Sequence, residues 1–205
     1  MNSAVTMNND VKLLQRAGDY ALSAIDTVDV GLLSLPTPCS EWDLRMLLDH
    51  ASESVAALHE GLDSGRVGLF STVPYDTAAN PVLAFRSCVT RLVDDWAASN
   101  AVGLVAVADC LMPLSLAAGV AAVEIAVHGW DIAQATGVHR LIPAALAVDL
   151  LAISALLLSD GNRHPLFAPP LRPPALGGPS EKLLAFLGRP ALAHPVSHRS
   201  ETDTS

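Results

Sequence analysis

The chain has 205 residues, enough for one full-sized domain and too few for two comfortable ones. Only 16% of its residues are charged and 51% are hydrophobic, which leaves little polar surface to spread over a monomer and puts a homodimer among the expected states. The formal net charge of −9, with Lys and Arg scattered rather than clustered, argues against phosphate-backbone binding and against an anionic membrane surface, so neither nucleic acid nor a membrane is an expected partner.

Residues 11–29 place Leu14, Ala17, Tyr20, Ala24 and Val28 at helical intervals behind Asn9 or Asp10 as caps, which predicts a first helix. The linker Leu35-Pro36-Thr37-Pro38-Cys39 is turn-like. Ser40, with Asp43 three residues on, reads as a capping arrangement for a second helix to about Leu62, with Leu44, Leu47, Leu48, Ala51, Val55 and Leu58 as its core stripe. After a loop containing Gly and Pro, a third helix is expected from Pro81 to Ala98, burying Val82, Phe85, Val89, Val93 and Trp96. Residues 102–112 carry β-branched residues and a Gly without helical period, the pattern of a short extended piece or hairpin-like crossover.

A fourth helix is predicted over 115–136, stopped by Gly137. Pro143 suits a first helical turn, and Ala144 to Leu158 is apolar almost all round, as in a helix packed between others; Ser159 to Asn162 ends it. Six prolines in 165–179 exclude regular structure, and a short helix, Glu181 to Leu187, closes the domain. The expectation is an all-α chain: a four-helix bundle with an additional C-terminal helix and a proline-rich wrap over 1–190, then a disordered tail over 191–205. Asp109, Glu124 and Asp149 interrupt the apolar stretches before any reaches the roughly 18 uncharged residues of a membrane span. No leader pattern precedes the first helix, and Cys39, Cys88 and Cys110 lack paired spacing, so a cytoplasmic protein is expected.

The fourth helix carries the chemistry. Glu124, His128 and Asp131 lie on or beside its apolar stripe, and a carboxylate does not stay ionised in a core without a positive partner. Glu124 and His128 are one turn apart, about 6 Å along the axis, so both reach one cation from the same face. His50, at the edge of the second helix's stripe beside Leu47 and the small Ser54, is the candidate third ligand. Two imidazoles and a carboxylate form a common set for a catalytic divalent metal, zinc by default with nickel or iron accepting the same ligands, and leave a position open. The alternatives are structural: His128 as a satisfied core histidine, and Glu124 paired with Arg45 or Arg86. Gly129, in mid-helix, costs about 1 kcal/mol relative to Ala and marks a close approach by a neighbouring helix or a ligand.

Two blocks are distinctive. Pro36-Thr37-Pro38-Cys39-Ser40-Glu41-Trp42-Asp43-Leu44-Arg45 is followed by Leu47-Leu48-Asp49-His50; Glu124-Ile125-Ala126-Val127-His128-Gly129-Trp130-Asp131-Ile132-Ala133 is followed by Gly137. Together they resemble the DinB-like metalloprotein superfamily, and within it the branch of the mycothiol-dependent maleylpyruvate isomerase N-terminal domain. The resemblance spans residues 10–190 and implies a four-helix bundle whose divalent metal, usually zinc, is held by the positions of His50, Glu124 and His128, which act catalytically through it. It implies a small-molecule substrate and the addition, transfer or isomerisation chemistry of a low-molecular-weight thiol, commonly mycothiol. Metal coordination explains this, because a bound thiol loses its proton at neutral pH; the same open position could polarise a carbonyl in a thiol-independent lyase, hydrolase or cyclase. A non-enzymatic module with a structural ion is the third reading. The full isomerase carries a further C-terminal domain, where this chain has only a proline-rich segment and a short helix, which puts maleylpyruvate as substrate in doubt.

Arg86 lies inside the third helix's stripe, where it either receives a carboxylate of substrate or thiol cofactor or makes a structural ion pair. Asp131 either orients His128 as acceptor or pairs with an arginine. Trp42 and Trp130 are expected as core anchors, with aromatic walls of a pocket beside the metal as the alternative; Cys39 is expected as a buried small hydrophobe rather than a nucleophile or extra ligand, and His59, His139, His164, His194 and His198 without a role.

Overall fold

The computed structural model describes residues 2–39, 42–68, 80–99, 103–107, 110–159, 163 and 167–190. Six α-helices follow one another: α1 (Asn2–Ile25), α2 (Leu44–Ser64), α3 (Pro81–Ala98), α4 (Leu114–Ala135), α5 (Ala144–Leu157) and α6 (Pro179–Phe186). Helices α1 to α4 close a bundle in which α4 packs on α1 and α2, and α3 completes the ring against both. The all-α expectation holds, with α5 and α6 added against each other and α5 also resting on α4.

Local chemistry explains the element ends. Helix α2 begins three residues later than a Ser40 cap would start it, because Asp43 caps it; Asp43 Oδ1 accepts from the Met46 amide at 2.8 Å. Ser40 lies outside the described residues. Helix α1 starts upstream of the expected caps, so Asn9 and Asp10 sit inside it, and it stops at Ile25, with Asp29 capping a short 3-10 turn, Val30–Leu32. Helix α3 has the expected bounds, with Asn80 accepting from the Val82 amide at 3.0 Å and Pro81 in its first turn. Gly137, at φ +74°, ends α4 as expected: its amide donates to Gln134 O and that of Val138 to Ala133 O, a Schellman arrangement.

The extended piece expected over 102–112 is a hairpin. Strand β2 (Leu104–Val107) pairs antiparallel with β3 (Cys110–Pro113), Leu104 opposite Pro113 and Val107 opposite Cys110. A two-residue strand that sequence did not suggest, β1 (Arg66–Val67), adds in parallel to β2, giving the order β1-β2-β3.

The core runs along the bundle axis through Leu14, Ile25, Leu48, Phe85, Leu92, Ile125, Trp130 and Ile132. Helix α4 is its centre, largely buried from Ala117 to Ala133, and is long and apolar enough by length and composition to cross a membrane. Helix α5 departs from expectation. It buries only Leu146, Ala147, Leu150 and Ser154 and leaves Val148 and Leu156 exposed, because its contacts with α4, α6 and α1, the last including the Asp149–Arg16 ion pair, do not cover its whole circumference. Residues 168–178 run without helix or strand, as their prolines require. The loop at 69–79, the turn at 160–162 and the tail at 191–205 lie outside the described residues.

Candidate metal centre

The packing of α2 against α4 brings His50 to Glu124 and His128. Glu124 Oε1 lies 3.5 Å from His50 Nε2 and 3.2 Å from His128 Nε2, and the two imidazoles stand edge to face with centroids 5.4 Å apart. Neither Arg45 nor Arg86 takes Glu124, which meets the two imidazoles. A tetrahedral ion with bonds of about 2.0–2.2 Å holds neighbouring donors about 3.3–3.6 Å apart. The two separations around Glu124 are already those of the edges of such a polyhedron, so the donor set fits a divalent ion.

The two nitrogens of His128 have different partners. Nε2 faces Glu124, while Nδ1 lies 3.1 Å from Oδ2 of Asp131, a residue with no solvent exposure. A buried carboxylate can only accept, so Nδ1 carries the hydrogen and Nε2 turns toward Glu124 and His50. Asp131 is thus on the far side of the ring and does not offer a fourth ligand to the same ion. It also accepts from Arg189 Nη2 at 2.9 Å and Nε at 3.4 Å, and from the Cys39 thiol at 3.4 Å; Arg189 Nη2 in turn lies 3.2 Å from Cys39 Sγ. Both readings of Asp131 are realised together, acceptor for His128 and partner of an arginine.

Electrostatics follow from these contacts. Burial pushes the Glu124 carboxyl up, but the charge of His128 and hydrogen bonds from His128 and His50 overcome it and hold it well below the ordinary carboxylate range. Burial pushes the His128 imidazolium down, and the charge of Glu124 with hydrogen bonds to Asp131, Cys39 and Glu124 raises it well above its ordinary value. Asp131 is lowered against its own burial by the His128 hydrogen bond and the charge of Arg189. Without an ion, then, a protonated imidazole stands where Glu124 calls for a cation.

The site opens on a cavity of about 1140 Å³. Val120, Val123 and Val127 of α4, Leu157 and Leu158 at the end of α5, and Phe167 with Pro169 and Pro170 of the C-terminal segment form apolar walls around His50, Glu124 and His128. His50 keeps 41% of its side chain exposed and Glu124 21%, so the ligand atoms reach the opening.

Several side chains stand elsewhere than sequence suggested. Arg86 is half exposed and ion-paired with Asp26, just past the end of α1 and away from the cavity lining, which is the structural alternative. Trp42 does both, packing partly buried against the core and forming a cavity wall with its ring 4.6 Å from that of His50, where the Thr37 hydroxyl holds the linker by the carbonyls of Trp42 and Cys39. Cys39 is no buried hydrophobe; it lines the cavity between Arg189 and Asp131. Trp130 is core, as expected. His59 pairs with Asp95 and His139 with Gln134; His164, His194 and His198 lie outside the described residues.

Arg189 and Arg163 line the same cavity, and sequence reasoning passed over both. Gly188 carried the one signal. At φ +77° it ends α6 in a Schellman turn, the amides of Gly188 and Arg189 donating to Ala185 O and Leu184 O, and so delivers Arg189 to Asp131.

No family model and no solved structure matches the chain. Two relatives do: Rv0738 and MT0763, from two strains of Mycobacterium tuberculosis and each described as an uncharacterized protein. Each is 30% identical over 185 residues, covering 85% of this chain and 94% of the relative. The chain belongs to the Rv0738 family. The match runs over nearly the whole relative and not a fragment of it. The description of Rv0738 names no activity, so the chemistry of this member is argued from its own side chains.

Proposed function

We propose that the chain is a divalent-metal-dependent enzyme that activates a low-molecular-weight thiol for transfer to, or isomerisation of, a small molecule, with zinc as the metal and mycothiol as the thiol implied by the DinB-like resemblance. The observation that carries it is a set of three ligand atoms opening on a mostly apolar cavity, with no fourth side chain among the described residues closing the set. A divalent ion held there supplies Lewis acidity, enough to deprotonate a coordinated thiol at neutral pH or to polarise a carbonyl oxygen.

The protein's own residues do the rest. His50, Glu124 and His128 present Nε2, Oε1 and Nε2 from two packed helices, so their spacing is set by the bundle and not by a loop. Asp131 keeps the His128 hydrogen on Nδ1 and fixes the plane of the ring, and Arg189 balances the charge of Asp131. Trp42, Val123 and Val127 exclude water from the ligand face, where a thiol nucleophile is otherwise solvated.

The position of Asp131 on the far ring nitrogen weighs against a structural ion, which calls for a fourth protein ligand. Two measurements test the proposal. Protein purified without a metal-affinity tag should carry about one divalent ion per chain by elemental analysis, lost in Glu124→Gln. Cobalt-substituted protein should gain thiolate-to-metal charge-transfer absorption on addition of mycothiol. A loaded site blind to every low-molecular-weight thiol would leave the thiol-independent lyase, hydrolase or cyclase, and a chain that takes up no metal would end the enzyme reading.

A further inference from the structure

Arg163 is 5% exposed and lines the cavity on the side of Leu157, Leu158 and Phe167. Its Nη1 donates to the Phe186 carbonyl at 2.7 Å, and its guanidinium carbon stands 4.8 Å from the centroid of the Phe186 ring. Its Nε is buried with no hydrogen-bond partner among the described residues, and no carboxylate among them pairs with it. Among the described residues this buried guanidinium is held only by a carbonyl and a ring face, which leaves its charge unmatched by any of them and favours the arrival of an anion. The other arginine of the cavity differs, since Arg189 is neutralised by Asp131.

The remaining charges point the same way. Glu124 is the only carboxylate in the described cavity lining, and it is taken by His50 and His128. A chain of net charge −9 therefore carries a locally cationic cavity. Most of the remaining described lining, Val120, Val123, Val127, Leu157, Leu158 and Phe167 among it, is aliphatic or aromatic, which suits a ligand body without further charges.

We infer that Arg163 is an anion-recognition residue: the cavity takes an apolar monocarboxylate whose carboxylate pairs with Arg163 while its body lies along Leu157, Leu158 and Phe167 toward the imidazoles. This deepens the substrate-site reading and rests on it. The role first considered for Arg86 falls to an arginine on the opposite side of the sequence.

The test compares 4-phenylbutanoate with its uncharged amide, 4-phenylbutanamide, by isothermal titration of the full-length protein, metal-loaded and metal-stripped. A charge-assisted contact of this kind is expected to favour the acid by about tenfold or more. That preference should vanish in Arg163→Met, with amide affinity unchanged, and should survive metal stripping. Arg163→Gln, which retains a donor for the Phe186 carbonyl, gives the same answer should the methionine variant fail to fold. Equal affinities, no binding of the acid, or a preference that persists in both variants overturns the assignment. A preference lost on stripping with Arg163 intact places the carboxylate on the metal and also overturns it. Failure of the enzyme reading looks different: no metal in the purified protein, with the acid preference intact.

Discussion

Gly129 shows how narrowly single positions are set around the ligands. A Cβ built there would lie 2.8 Å from Ala21 Cα and 2.9 Å from Ala21 Cβ, so α1 and α4 approach to backbone contact beside His128. The mid-helix glycine was legible as a close-approach position, though not whether a helix or a ligand made the approach. Gly129→Ala should destabilise the fold by about 1–3 kcal/mol, read in a urea melt, because the obstacle is main chain and not a yielding side chain. Tyr20, one residue from that contact, is 3% exposed and donates from its hydroxyl to Arg140 O at 2.8 Å. Burial, with a smaller push from Asp131 and against the pull of Arg140, raises its pKa in the fold. The folded state therefore favours the neutral phenol. Its stabilising contribution is complete below the unfolded value of about 10 and is lost as pH rises above that. Tyr20→Phe should be less stable at neutral pH by about 1 kcal/mol and should lack that part of the alkaline decline in a pH series of melts.

At the scale of elements, the connections between helices complete the site. The linker before α2 contributes Cys39 and Trp42, held by the Pro36 to Asp43 bridge, and the turn after α6 contributes Arg189. Prolines identified the linker before α2 as irregular, yet irregular backbone has no period from which side-chain direction can be read, and the turn after α6 has no such period either. That is why Cys39 was read as a buried hydrophobe and why Arg189 was missed, whereas Glu124 and His128, one turn apart on a regular helix, could be placed together from spacing. Arg189→Met should cost about 3–5 kcal/mol by leaving Asp131 buried without its cation. It should also weaken metal binding by about 10–100-fold in competition with a chelating dye, because Asp131 then holds the His128 ring less firmly. A variant that lost stability but kept its metal affinity would show that the arginine serves the fold alone.

For the molecule as a whole, the core and the candidate metal centre are separable. The bundle buries Leu14, Leu48, Phe85, Ile125 and Ile132 without using any of the candidate ligand side chains, so the fold is expected to form without an ion. Stripping the metal should preserve the helical circular dichroism. It should lower Tm by about 5–10 °C, reversibly on re-addition, since a ligand at 100 times its Kd contributes about 2.7 kcal/mol and a domain of this size shifts by about 2–4 °C per kcal/mol. Loss of helix on stripping would instead make the ion part of the fold.

The amino-acid sequence by itself determined the helices, their approximate ends and the pairing of Glu124 with His128 on one face. These depend on a period of 3.6 residues and on caps and stops within a few residues of each end. Only the tertiary structure decided that His50 meets them, that Arg189 is the arginine that reaches Asp131, that α5 is left partly uncovered, and that Arg163 and Arg189 share the cavity. Those facts depend on which helix faces pack and where irregular segments are drawn across them, and contacts between residues 50 to 150 positions apart leave no local pattern in the chain.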